Sequence, residues 1–89
     1  MATITLTNYQ TRYTSGGVQD FLDIPDATQI GHMKEINYIA ESAGADYGEL
    51  SSITGYTSIV FNAIGNLIIL MWNGTAWKIM KNIGCTVTP

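Results

Sequence analysis

G-N-L-I-I-L-M-W-N-G-T-A-W-K-I, the stretch from Gly65 to Ile79, decides the fold of this chain. Two apolar runs, rich in β-branched and aromatic residues, flank the pair Asn73-Gly74. Asn-Gly between two such runs is the strongest short signal for a β-hairpin. We therefore predict a hairpin over this stretch, with Trp72 and Trp77 packed against each other across its arms.

The first arm of this hairpin is apolar on both of its sides. Alternate residues of an extended strand point to opposite sides of the sheet. One side carries Ile68, Leu70 and Trp72, and the other carries Leu67, Ile69 and Met71. A half-buried strand alternates apolar with polar residues, so a strand with two apolar sides is covered twice. We therefore predict that the second side forms a subunit interface, with the candidate residues Leu67, Ile68, Ile69, Leu70, Met71, Trp72 and Trp77.

Length and composition favour an assembled structural protein over a free enzyme. The chain has 89 residues, which predicts a single domain over residues 1–89 with a small core that gains from disulfides, metals or oligomerisation. Cys85 is the only cysteine and His32 the only histidine, which leaves neither an internal disulfide nor a structural zinc site. Charged residues make up 12% of the chain and hydrophobic residues 46%, so a monomer would expose large apolar patches. Oligomerisation is the prediction that remains.

The charges are unevenly placed along the chain. All seven acids and two of the four bases lie within residues 1–50, while Lys78 and Lys81 follow later. No basic cluster is present that would neutralise several phosphates, so we expect no nucleic-acid partner. The acids suit an adapter docked onto a larger assembly, and simple solvation of loops accounts for them equally well. The longest apolar run is too short to span a bilayer and no signal peptide is visible, so we expect no membrane partner. The chain begins with Met1, so we expect a complete gene product made in a cytoplasm.

Strand signals dominate the rest of the chain. Turn signals recur about every 8–12 residues, which is typical of an all-β fold, and we predict a small antiparallel sandwich or barrel-like domain. Besides the hairpin, strands are predicted at residues 3–7, 18–24, 33–40, 49–53, 57–63 and 85–88. A helix is the alternative for residues 33–40. Residues 8–17 are polar and end in Ser-Gly-Gly, so residues 1–17 are a candidate for an extended arm that adds a strand to a partner, with contact residues Thr3, Ile4, Leu6, Tyr9 and Tyr13.

Residues with catalytic or metal-binding chemistry are few, and they form no recognisable motif. His32 is the only candidate base for Cys85, and nothing in the sequence brings the two together. Asp20, Asp23 and Asp26 are spaced by three, whereas calcium loops of the EF-hand type place their first ligands two residues apart. We therefore expect no enzyme activity, no catalytic residues, no metal site and no cofactor. Five tyrosines and two tryptophans leave sugar stacking as an alternative to interface packing.

The run from Thr57 to Met80, T-S-I-V-F-N-A-I-G-N-L-I-I-L-M-W-N-G-T-A-W-K-I-M, resembles a module of small bacteriophage virion proteins. In these a strand leads through a Gly-Asn turn to an apolar strand that ends in Trp-Asn-Gly, and a returning strand carries a second Trp. The upstream run D-I-P-D-A-T-Q-I-G-H-M-K-E-I-N-Y-I resembles the segment before that module, and the resemblance extends from Leu22 to Val87. The matching positions, which define the fold, are Gly65, Leu70, Trp72, Asn73, Gly74 and Trp77.

The resemblance implies a compact β domain, commonly trimeric, on the outside of a virion. Such modules occur in capsid decoration (cement) proteins, head fibres and tail fibres. The sequence shows no stalk, collagen-like repeat or coiled coil, so a capsid decoration protein fits better than a self-standing fibre. We therefore expect a homotrimer on the capsid surface that binds the major capsid protein of the same virus and stabilises the assembled head. A receptor- or glycan-binding domain of a head or tail fibre is the alternative.

Overall fold

The computed structural model describes residues 2–15, 19–41 and 47–89, which hold nine β-strands and no helix. The strands are β1 (Ala2–Thr3), β2 (Gln10–Ser15), β3 (Gln19–Asp23), β4 (Met33–Glu41), β5 (Tyr47–Ser52), β6 (Ser58–Phe61), β7 (Leu67–Trp72), β8 (Trp77–Ile83) and β9 (Thr86–Thr88). The prediction of an all-β fold is confirmed, and the helical alternative for residues 33–40 is wrong. Residues 18 and 42–46, part of one predicted strand and part of a predicted connection, lie outside the described residues.

The strands form two sheets, and both of them mix parallel with antiparallel pairs. A five-stranded sheet has the order β1-β3-β5-β6-β9, and a four-stranded sheet has the order β2-β4-β7-β8. From β1 to β5 the chain alternates between the sheets, so each strand lies parallel to the strand two positions earlier. The later pairs are antiparallel. The prediction of a purely antiparallel fold is therefore wrong for the pairs β1–β3, β2–β4 and β3–β5, because the opposite sheet serves as the crossover connection for each.

The core lies between the two sheets. The five-stranded sheet contributes Leu22, Leu50, Ile59 and Phe61, and the four-stranded sheet contributes Ile36, Tyr38, Ile68, Leu70 and Trp77. All of these side chains are at most 1% exposed. Apolar side chains from two separate sheets that share one core are the arrangement of a β-sandwich, so the sandwich alternative of the sequence prediction fits better than the barrel-like one.

The predicted hairpin is present as β7 and β8, with Trp72 opposite Trp77. The rings of these two tryptophans meet edge to face with centroids 5.4 Å apart, which confirms their predicted contact. The connection is a four-residue loop over residues 73–76 and not a two-residue Asn-Gly turn, because Asn73 does not adopt the positive φ that such a turn requires. Its Oδ1 instead accepts hydrogen bonds from the backbone N–H groups of Thr75 and Ala76, both at 2.9 Å. Gly74 alone carries a positive φ in this loop, of 100°.

The predicted N-terminal arm is part of the sandwich over its described residues. β1 pairs with β3, and β2 pairs with β4 over its whole length. Thr3 donates a hydrogen bond to Asp23 at 2.8 Å, and Ile4 is buried with 4% exposure. Leu6 packs against the core. The prediction of an extended arm is therefore wrong for residues 2–15, because their few apolar side chains complete the core of this chain.

Tyr13 is the clearest case among the predicted arm residues. Its side chain is 7% exposed, and its ring centroid lies 5.4 Å from that of Tyr38 and 6.3 Å from that of Phe61. Its hydroxyl donates a hydrogen bond to Asp20 at 2.7 Å. Burial and this bond to a carboxylate raise the pKa of Tyr13. Of the five predicted arm residues only Tyr9 combines a large side chain with high exposure, at 50%.

Candidate assembly surface

The two sides of β7 have separate surroundings. Its burial alternates strictly, so Ile68, Leu70 and Trp72 are buried while the residues between them are half-buried. The half-buried residues lie on the face of the four-stranded sheet that points away from the core, which we call the outer face. On β7 the outer face carries Leu67, Ile69 and Met71. This chain therefore covers one apolar side of β7 and leaves the other within reach of a partner.

The core side of β7 cannot contact another subunit. Ile68, Leu70 and Trp77 are 0% exposed, and Trp72 is 6% exposed. Trp77 also donates its indole N–H to the carbonyl of Pro25 at 3.2 Å, which ties the hairpin to the segment before β4. The predicted interface role is therefore wrong for these four residues, because the sandwich core uses them. The interface prediction remains for Leu67, Ile69 and Met71.

The β8 side of the outer face is exposed and basic. Met71 lies opposite Lys78, Ile69 opposite Lys81 and Leu67 opposite Ile83. Opposed residues of an antiparallel pair point to the same face, so both lysines flank the apolar row of β7. A register shift between Ile69 and Leu70 leaves Met80 as the extra residue of β8. Met80 is 55% exposed and Ile83 is 47% exposed, so the apolar surface continues beyond β7.

The β4 side of the outer face carries an acid. Met33, Glu35 and Asn37 lie opposite Met71, Ile69 and Leu67 respectively. Gln10 on the neighbouring strand β2 donates a hydrogen bond to the Glu35 carboxylate, which fixes that side chain on the face. Arg12 follows on β2 beside Asn37. An apolar row therefore runs along β7 between Glu35 on one side and Lys78 and Lys81 on the other.

A buried lysine lies on the opposite, core side of β4. Lys34 is 0% exposed, and its Nζ donates a hydrogen bond to the backbone carbonyl of Asn8 at 2.8 Å. Burial lowers its pKa, since removal from water penalises the charged form. Sequence reasoning missed this residue, although the alternation of β4 already placed Lys34 on the same side as Ile36 and Tyr38.

The remaining groups with reactive chemistry have structural surroundings. Burial raises the pKa of the Cys85 thiol to about 12, which removes the thiolate that a nucleophile needs. Asn82 makes two hydrogen bonds to the backbone of Cys85, both at 3.0 Å. Its Oδ1 accepts from the N–H of Cys85, and its Nδ2 donates to the carbonyl of Cys85. His32 meets Trp77 edge to face, with centroids 6.2 Å apart.

The three regularly spaced acids do not converge on one point. Asp20 accepts a hydrogen bond from Tyr13, Asp23 from Thr3 and Asp26 from Thr54. Each carboxylate therefore has a partner on a different part of the sandwich. No group of three His, Cys, Asp or Glu side chains among the described residues is placed to hold a metal ion.

The part of the chain that the structure describes contains no pocket near these groups or elsewhere. Within the same residues no helix is long and apolar enough to cross a membrane. The outer face brings half-buried Leu67, Ile69 and Met71 together with exposed Ile83 on one regular surface. No family model matches this chain, and no curated protein matches its sequence.

Proposed function

We propose that this chain is a non-enzymatic structural protein of a bacteriophage virion, a capsid decoration protein that acts as a homotrimer. The observation that carries the proposal is the apolar outer face: Leu67, Ile69 and Met71 form a row that the monomer leaves half-buried. Contiguous apolar surface of this kind on a small soluble domain is typical of interaction sites. The resemblance of residues 22–87 to phage virion modules supports the virion as the place of assembly.

In this proposal the protein acts by reinforcing the assembled capsid shell. The trimer binds the major capsid protein where neighbouring capsid subunits meet, so it binds the assembled shell and not the free subunits. Each contact buries apolar area, at roughly 25 cal/mol per Å². A ligand that binds only the assembled state stabilises it by mass action, by about 2.7 kcal/mol at a free concentration of 100 times Kd. Many weak contacts over one shell therefore add up to resistance against the pressure of packaged DNA.

Two measurements test this proposal. Light scattering on the purified chain gives the native mass, and three chain masses are expected. Cosedimentation with empty expanded capsids of the same virus then tests lattice binding, with unexpanded shells as the comparison. Ile69→Lys on the outer face is expected to abolish the trimer, while Ile64→Lys, the same change at a loop residue 56% exposed, preserves it. Absence of capsid binding by a native trimer would contradict the decoration role.

A receptor- or glycan-binding domain of a head or tail fibre is the second candidate. Exposed aromatic rings are what a sugar stacks on, and Tyr9 and Phe21 are 50% and 41% exposed. Trp72 and Trp77, the largest aromatic surfaces, are buried in the core and offer no such platform. Binding on a glycan array that is lost in Tyr9→Ala or Phe21→Ala would favour this candidate over the capsid role.

A further inference from the structure

We propose that the outer faces of three copies meet around an axis parallel to β7, with Glu35 of each protomer next to Lys81 of its neighbour. This inference rests on the proposed trimer and adds its contact surface and orientation. It commits to further copies of this chain as the occupant of the outer face. The basis is the distribution of charge on the two sides of the β7 apolar row.

The register of the four-stranded sheet places these groups at one height. Glu35 lies opposite Ile69 on one side of β7, and Lys81 lies opposite Ile69 on the other. One row therefore reads acid, apolar, base across the face. Adjacent strands are about 4.8 Å apart, so the acid and the base are separated by two strand spacings and stand on opposite sides of the apolar row. Lys81 is exposed and has no ion-pair partner in the described part of the chain.

Symmetry decides which copies bring unlike charges together. A rotation about an axis parallel to β7 keeps every residue at its height, so the β4 side of one protomer meets the β8 side of the next. Glu35 then faces Lys81, and the Ile69 side chains meet on the axis. A twofold axis across the strands would instead place the β4 side on the β4 side, with acid against acid and base against base. Like charges in such contact cost free energy, which selects the axis along the strand.

The other groups on this face are compatible with the same arrangement. In the row of Met33 and Met71 the base is Lys78, whose aliphatic stem packs along apolar surface while its ammonium stays in water. In the row of Asn37 the β2 residue Arg12 stands at the height of Ile83, so no second base faces it. The hydrogen bond from Gln10 keeps the Glu35 carboxylate on the face before assembly.

A charge-reversal cycle tests the contact. Glu35→Lys and Lys81→Glu are each expected to raise the trimer dissociation constant by at least about tenfold, the equivalent of 1.4 kcal/mol. The double variant, Glu35→Lys with Lys81→Glu, is expected to return it to within about threefold of the native value, because the pair is restored with its charges exchanged. Glu49→Lys on β5 of the other sheet makes the same charge change away from the face and serves as the control. Sedimentation equilibrium measures all four variants, and circular dichroism checks that each folds.

The outcomes separate this inference from the proposed function. Unchanged dissociation in both single variants, or a double variant weaker than either, would overturn the Glu35–Lys81 contact even if the native trimer binds capsids. A restored double variant that ignores capsids would keep the contact and contradict the decoration role. A native dimer with the same charge cycle would overturn the threefold arrangement. A native protein that is still monomeric at about 100 μM would overturn the proposal as a whole, since a self-assembling surface is expected to associate below that concentration.

Discussion

Gly48→Ala is expected to destabilise the fold through a single contact between the two sheets. A Cβ placed on Gly48 in β5 would overlap Cε2 of Tyr13 and would lie 2.6 Å from the hydroxyl oxygen of Tyr13, far inside van der Waals contact. Tyr13 cannot retreat freely, because its ring packs against Tyr38 and Phe61 and its hydroxyl is bonded to Asp20. The added methyl group therefore displaces a ring that joins β2 to the core.

The sign of this effect is informative, since local propensity works in the other direction. Gly48 has no positive φ, and replacing a strand glycine by alanine in ordinary backbone is worth about 0.5–1 kcal/mol of added stability. Overpacking costs about 1–3 kcal/mol, and loss of the Tyr13 bond to a carboxylate costs about 1.5–3 kcal/mol where it breaks. We expect a net loss of about 2 kcal/mol, which lowers Tm by roughly 10 °C. Urea unfolding at one fixed protein concentration measures it, because the proposed assembly would add its own stability.

The double variant shows whether Tyr13 is the cause. In a Tyr13→Leu background the ring is absent, so Gly48→Ala is expected to be neutral or stabilising there, with a coupling energy of about 2 kcal/mol between the two sites. A Gly48→Ala protein that is as stable as the native one would refute the packing of Tyr13 over β5. It would also reopen the interpretation of residues 10–15 as an arm.

Three further predictions concern the buried groups and the hairpin loop. Between pH 9 and about 12 the thiol of Cys85 ionises in the unfolded chain and stays protonated in the folded chain. The free energy of unfolding therefore falls by up to about 1.4 kcal/mol per pH unit in this range. A pH series of urea titrations is expected to show that Cys85→Ala lacks this fall. Between the lowered pKa of folded Lys34 and the ordinary value of 10.5, the unfolded chain binds a proton that the folded chain does not, so stability rises with pH. Lys34→Met is expected to retain the fold and to remove this rise. Asn73→Ala is expected to cost about 1 kcal/mol in thermal unfolding, since two loop N–H groups lose their acceptor, whereas Asn73→Asp keeps it.

Two apolar runs around Asn73-Gly74 were enough to predict the hairpin, and strand geometry gave the two sides of its first arm. Alternate residues of β7 point to opposite sides of the sheet, so the period of two alone showed which of its side chains share a side. The same signal identified β4, including the side that Ile36 and Tyr38 share. The sequence also predicted that one of the two sides of β7 contacts a partner, because a small chain has too little material to cover both, but it did not decide which side.

The second strand, β2, could not be predicted in the same way. β2 reads Q-T-R-Y-T-S, with Tyr13 as its only large apolar side chain, so its composition is that of a loop. Its strand conformation comes from parallel pairing with β4, more than twenty residues later in the chain, and such a partner leaves no local trace. The parallel direction of β1, β3 and β5 is hidden for the same reason. The sequence showed which hairpin residues share a side, but the positions of these other strands determine which of the two sides packs into the core.

The strand order places one acid of the early chain, Glu35, and two bases of the late chain, Lys78 and Lys81, on opposite sides of β7. The acids belong to residues 1–50 and the last two bases to β8. In the four-stranded sheet the early strands β2 and β4 lie on one side of β7, and β8 lies on the other. The outer face therefore has Glu35 and Arg12 on its β4–β2 side and only bases, Lys78 and Lys81, on its β8 side, divided by an apolar row. A surface with two unlike sides is complementary to a copy of itself turned about the strand direction, so one strand order provides both the axis and the head-to-tail direction of the proposed ring.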